Sequence, residues 1–148
     1  MTTTTPRQYR DTSVDVKLVL SALWITMLFV FAYVDIFGFY RADVLDAALD
    51  GRVATTDFTV GQVFLTATLI YILLPTLMVV LSLLLRPRVN RIVNIVLSLL
   101  YMTSIIVSCI GEDWAYYLVG SVIEVVLLLG IAVTAWNWPP PQTAYDAG

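Results

Sequence analysis

The stretch Arg86-Pro87-Arg88-Val89-Asn90-Arg91 separates two long apolar runs, residues 60–85 and 92–110. A connection this short between runs this long has to turn the chain back on itself, so the runs read as two antiparallel helices. The stretch also carries three arginines, Arg86, Arg88 and Arg91, out of 8 basic residues in the chain. Basic residues in short loops are retained on the cytoplasmic side of a membrane, so this charge gives the hairpin a sidedness. The same three arginines are placed to touch anionic lipid headgroups.

Working outward, residues 16–37 precede the hairpin and residues 116–136 follow it as further apolar runs. Each of the four runs reaches the roughly 18 apolar residues that mark a membrane-spanning helix. The composition agrees: 148 residues are 59% hydrophobic and 13% charged, more apolar surface than a water-soluble domain of this size can bury. The expected fold is all-α, an integral membrane four-helix bundle forming one domain over residues 1–148. The first run follows Arg7, Arg10 and Lys17 as a signal peptide would. It is longer than the roughly 7–15 residues of a signal h-region, so it reads as an uncleaved span. With both termini cytoplasmic, those three residues and the three hairpin arginines lie inside, and only Arg41 and Arg52 lie outside, as the positive-inside rule requires.

Between the runs, Thr12-x-x-Asp15 and Thr59-x-x-Gln62 read as capping boxes opening spans one and two. Pro87 stops span two, and Asn90 reads as the cap of span three. Pro75 is placed to kink span two. Residues 43–50 read as a short amphipathic helix in the external loop, ended by Gly51, lying on the membrane or capping the bundle mouth. Trp114, Tyr116 and Tyr117 form an aromatic belt at one interface, and Trp136 and Trp138 mark the other. The polar tails, residues 1–11 and 139–148, have nothing to bury and are expected to be disordered.

Several function classes are excluded. The net charge of −3 and the lack of a basic stripe argue against nucleic acid. Cys109 is the single cysteine and there is no histidine. No intramolecular disulfide can form, and neither a metal site nor another cofactor is expected. No nucleophile–base pair, phosphate loop or catalytic motif appears, so the chain does not read as an enzyme.

Glu124 is the expensive residue. It lies eight positions after Tyr116 and twelve before Trp136, roughly 12 Å deep at about 1.5 Å per residue. An acid at a span centre costs about 2.5–3.5 kcal/mol on insertion scales, and no Lys or Arg lies at its depth. Glu124 is therefore expected to be carried protonated near neutral pH. Tyr117, Gly120, Ser121, Glu124 and Leu128 share one face of span four. Span three carries a polar stripe, Asn94, Ser98, Tyr101, Ser104 and Ser108, from which Tyr101, Ser104 and Ser108 are candidates to hydrogen-bond Glu124. Asp35 is read either at the interface, reaching water near Arg41, or inside the bundle, sharing a wet crevice with Glu124. Glu124 itself reads as structural glue, as a proton or ligand site, or as an oligomer contact.

Val16-Lys17-Leu18 with Ser21-Ala22-Leu23-Trp24, Asp35 and Phe39-Tyr40, then Leu85 to Arg91 with Asn94, Glu124 and Ala135-Trp136-Asn137-Trp138-Pro139, together resemble a family of small four-span bacterial integral membrane proteins of unknown function. The resemblance implies four spans and no assigned activity. The leading expectation is a non-enzymatic accessory or scaffold protein. The alternative is a subunit of an oligomeric proton-coupled transporter or small channel using Glu124. The expected partners are the lipid bilayer and either a further copy of the chain or another membrane protein. The expected location is the bacterial inner (plasma) membrane.

Overall fold

A computed structural model describes residues 14–54, 56 and 58–138. It contains five helices: α1 (Val16–Gly38), α2 (Ala42–Leu49), α3 (Gln62–Leu84), α4 (Pro87–Ser108) and α5 (Ala115–Trp136). All but α2 are long and apolar enough to cross a membrane. Among the described residues there is no strand, only an isolated bridge between Arg52 and Thr59 in the loop after α2. The chain is an all-α, four-span bundle.

The termini of the helices correct the sequence reading in three places. Span three begins at Pro87 rather than at residue 92, and the hairpin shrinks to Leu85 and Arg86. Proline has no N–H to lose at a first helical position and its φ already suits a helix, so Pro87 starts α4 as well as ending α3. Asn90 is consequently no cap; it lies inside α4 and is fully buried. The start of α3 is Gly61 without a side-chain cap, so Thr59-x-x-Gln62 forms no capping box. At α1 the cap is Asp15 itself, whose carboxylate accepts from the Lys17 amide at 2.8 Å. Thr12, with the tails 1–11 and 139–148, lies outside the described residues.

The four spans form a ring in which α1 sits between α3 and α5, and α4 packs on α5 and more thinly on α3. Leu20, Trp24, Met27, Tyr101, Leu128 and Ile131 fill the centre. Between α1 and α5, Gly120 abuts the Val34 side chain so tightly that a β-carbon would collide with it.

The half of the bundle toward Arg86 is closed by polar side chains that satisfy one another. Asn94 accepts from Trp24 Nε1 at 2.7 Å and from Ser82 Oγ at 3.3 Å, and donates to Asn90 Oδ1 at 2.6 Å. Asn90 in turn donates to the Ser82 carbonyl at 2.6 Å. That carbonyl belongs to the last turn of α3, where no amide of the helix can reach it. Lys17 Nζ reaches two more orphans of the same terminus, the carbonyls of Leu83 at 3.0 Å and Leu85 at 2.9 Å. A cation there also suits the negative end of the helix dipole.

A second repair lies in mid-bundle. Pro75 interrupts α3 and cannot donate to the carbonyl four residues earlier, which is that of Tyr71. The Tyr101 hydroxyl donates to this carbonyl from α4, so the freed backbone group is satisfied by a neighbouring helix.

Candidate functional site

Glu124 lies on the inner face of α5 and is only 2% exposed. Gly120 and Ser121, one turn earlier on the same buried face, are small enough to let α1 come close. Every other described side-chain oxygen or nitrogen this deeply enclosed has a hydrogen-bond partner; Glu124 Oε1 has none. A buried polar atom left unpaired costs about 1–3 kcal/mol, which makes Glu124 an exception among the bundle's well-paired polar groups.

The carboxyl borders a cavity of ≈ 270 Å³. Phe31 and Asp35 of α1, Tyr71 of α3 and Ser104 and Ser108 of α4 form its walls with Tyr117 of α5. Asp35 is exposed and borders both this cavity and, with Arg41, the wider space beside it, so it reaches water near Arg41 and also faces the space that Glu124 lines, while Arg41 itself pairs with Asp43 and Glu112. The sequence candidates Glu124, Asp35, Ser104 and Ser108 meet here, and Tyr101 does not.

The serines were expected to hydrogen-bond Glu124, and they do not. Ser104 Oγ donates to the Tyr101 carbonyl at 2.9 Å, and Ser108 Oγ donates to the Ile105 carbonyl at 2.9 Å. Serine hydroxyls in a helix readily bond back to the preceding turn. With its one proton spent, Ser104 accepts from Tyr71 Oη at 2.6 Å, and Ser108 accepts from Tyr117 Oη at 3.1 Å. Tyr101 is occupied at the Tyr71 carbonyl and packs against the Tyr71 ring at a tilt of 42°, centroids 4.7 Å apart. Tyr71 is a wall residue absent from the sequence candidates. The available signal was Pro75 four residues later, which marks Tyr71 as a carbonyl needing a partner from another helix.

Asp35, Ser108 and Tyr117 also border a wider vestibule of ≈ 530 Å³ toward α2. Val44 of α2 and Val53 of the following loop help to roof it. Arg41 stands in its wall, pinned from two sides: Asp43 lies at 2.7 Å and Glu112 at 3.0 Å, and its guanidinium covers the Trp114 ring at 4.7 Å. Glu112 also accepts from the Trp114 amide at 3.1 Å, tying Arg41 to the start of α5. Gly111, with a positive φ of 83°, allows the sharp turn that brings Glu112 there. The hydrogen bond from Arg41 holds the Asp43 carboxyl below the usual carboxylate range, and the same bond, reinforced by Glu112, holds Arg41 firmly charged.

The remaining candidates lie at the opposite end. Arg86 and Arg88 are exposed, and Arg91 covers the Trp136 ring at 5.4 Å. Among the described residues no group of three or more His, Cys, Asp or Glu side chains is placed to hold a metal ion.

The chain belongs to a family of unknown function, DUF6326, whose model matches residues 11–144. No curated protein and no solved structure matches it.

Proposed function

We propose that this is a non-enzymatic multi-pass membrane protein that takes a proton or a cationic ligand into the Glu124 cavity from the α2 side. The observation that carries this reading is the buried Glu124 carboxyl, one of its oxygens unpaired, in the wall of a cavity that it shares with Asp35 and that adjoins the vestibule. An ionisable group inside a span is a functional-site hypothesis by default, and this one receives no structural hydrogen bond at Oε1. With both termini cytoplasmic, as the basic residues favour, the vestibule faces the outside of a bacterial inner membrane. Arg86, Arg88 and Arg91 then contact lipid phosphates on the inner side.

A second reading, an accessory or scaffold subunit, is favoured by the closed polar set around Asn94. That set lies on the side of the bundle away from the vestibule, which supports a chain that binds or docks rather than one that conducts alone. Transport would require a second conformation or further copies.

The test is labelling by a hydrophobic carbodiimide, read by intact mass across pH with Glu124→Gln as control. That reagent needs a protonated carboxyl in an apolar setting. One adduct, absent from the variant and fading as pH rises, is the expected result. Labelling that never varies with pH would make Glu124 a permanently neutral structural acid and overturn the reading. Absence of labelling at every pH in protein with unchanged circular dichroism would overturn it as well.

A further inference from the structure

We infer that the ligand of the Glu124 cavity is a small organic ammonium ion, its nitrogen held between Glu124 and Asp35 and its apolar arm laid against Phe31 and Tyr71. The inference rests on the proposed reading of the cavity as a cation site and gives that cation a chemical class.

Three features set the class. The first is the balance of donors and acceptors. Of the five hydroxyls in the cavity wall, those of Tyr71, Tyr117, Ser104 and Ser108 have their protons committed to other oxygens, which leaves Ser121 as the one wall hydroxyl with a proton to give. Those oxygens keep lone pairs, and Glu124 Oε1 has no donor at all. An ammonium group brings up to three donors and no acceptor, which complements such a wall. The second is charge. Two carboxyls border the cavity with no cation among its wall residues, and the nearest guanidinium, Arg41, is held by Asp43 and Glu112 in the vestibule. The third is the aromatic wall. Phe31 and Tyr71 lie with centroids 6.2 Å apart, and aromatic faces attract an organic cation while also burying its hydrocarbon.

The same features argue against a metal ion. Hard cations such as calcium take 6–8 oxygen ligands at about 2.3–2.6 Å, and no acidic cluster of that kind occurs among the described residues. Size narrows the class further. At ≈ 270 Å³ the cavity falls just below the roughly 300–1,000 Å³ typical of drug-sized ligands, so a single-ring or short-chain amine fits the space.

Occupation by the ammonium competes with protonation of the acids. The titratable groups around the cavity are Asp35 from α1, Tyr71 from α3 and Tyr117 and Glu124 from α5, while α4 contributes only serine hydroxyls and Ile105. Affinity therefore rises as pH rises from acid toward neutral.

The experiment is isothermal titration of the full chain in detergent with benzylammonium, using benzyl alcohol and sodium as controls. The expected result is saturable benzylammonium binding, weakened at least tenfold by Glu124→Gln and several-fold by Asp35→Asn. It should also protect Glu124 from the carbodiimide. Asp35 lies at the cavity's more open side, so its variant reports even where Glu124→Gln fails to fold. Equal binding of benzyl alcohol would reduce the cavity to an apolar hole and overturn the inference. So would saturable binding unaffected by Asp35→Asn, or no benzylammonium binding by protein whose Glu124 still labels in a pH-dependent way. In that last case the proton-site reading survives alone; loss of pH-dependent labelling itself would remove both.

Discussion

Toward Arg86, four buried side chains from three helices, Trp24, Ser82, Asn90 and Asn94, close a hydrogen-bonded set on themselves. Toward α2, Glu124 faces open space with one oxygen unpaired. Both halves place polar atoms inside a membrane bundle, where each unpaired group is costly. The difference shows how the two costs are met. Asparagine carries a donor and an acceptor, so asparagines can satisfy each other and the ends of neighbouring helices at once. A carboxyl in a wall where four of five hydroxyls have their protons committed elsewhere is left with an oxygen that a mobile proton or a ligand can serve. The first half is built to hold, the second to exchange.

The sharpest way to break this comparison is Asn94→Ala. It orphans Trp24 Nε1 and Asn90 Oδ1 together, and at about 1–3 kcal/mol for each buried orphan the expected loss is about 3 kcal/mol. Hydrogen bonds between membrane helices average less than this, but here both stranded groups are fully buried. Thermal unfolding in micelles measures it, and a loss no larger than that of Glu124→Gln would erase the distinction between the halves.

Gly120→Ala comes next. Its new methyl meets Val34, and overpacking of this kind costs about 1–3 kcal/mol. Val34→Ala in the same chain should recover most of that loss. Failure of the pair to couple in a double-mutant cycle would show that α1 and α5 adjust freely around the cavity.

Glu124→Gln should change stability by less than about 1 kcal/mol, because Oε1 gives up no hydrogen bond, while abolishing carbodiimide labelling. A large destabilisation with the label as its only other change would return Glu124 to a structural role.

The smallest effect concerns the vestibule. Asp43 titrates below its ordinary value when Arg41 is bound to it, so its contribution is complete above about pH 4 and is lost as pH falls through the depressed folded value. Faster amide hydrogen exchange in α2 over that acid window, beyond the intrinsic pH trend and absent from Asp43→Asn, is the expected signature.

Much of this was legible in the residues. Long apolar runs gave four spans, and helical spacing put Gly120, Ser121, Glu124 and Leu128 on one face, the face that is buried. What failed was local. Pro87 and Asn90 read equally well as a loop and as a first turn, and only contact with the end of α3 decides between them. The Asn94 set was hidden because its members come from α1, α3 and α4, and spacing within a helix does not say which helices become neighbours. The free serine hydroxyls expected around Glu124 were spent on their own backbone, a choice that depends on rotamers rather than on residue type.

One bond described above also dates the assembly of the chain. Trp24 finds its acceptor on Asn94, 70 residues later in sequence, and Lys17 waits 66 residues for the Leu83 carbonyl. At roughly 5–20 residues per second of synthesis, the first helix spends roughly 4–14 s in the bilayer before its polar partners exist. The first span therefore gains its polar partners only once the second and third spans exist, and its packing on α5 is completed after that.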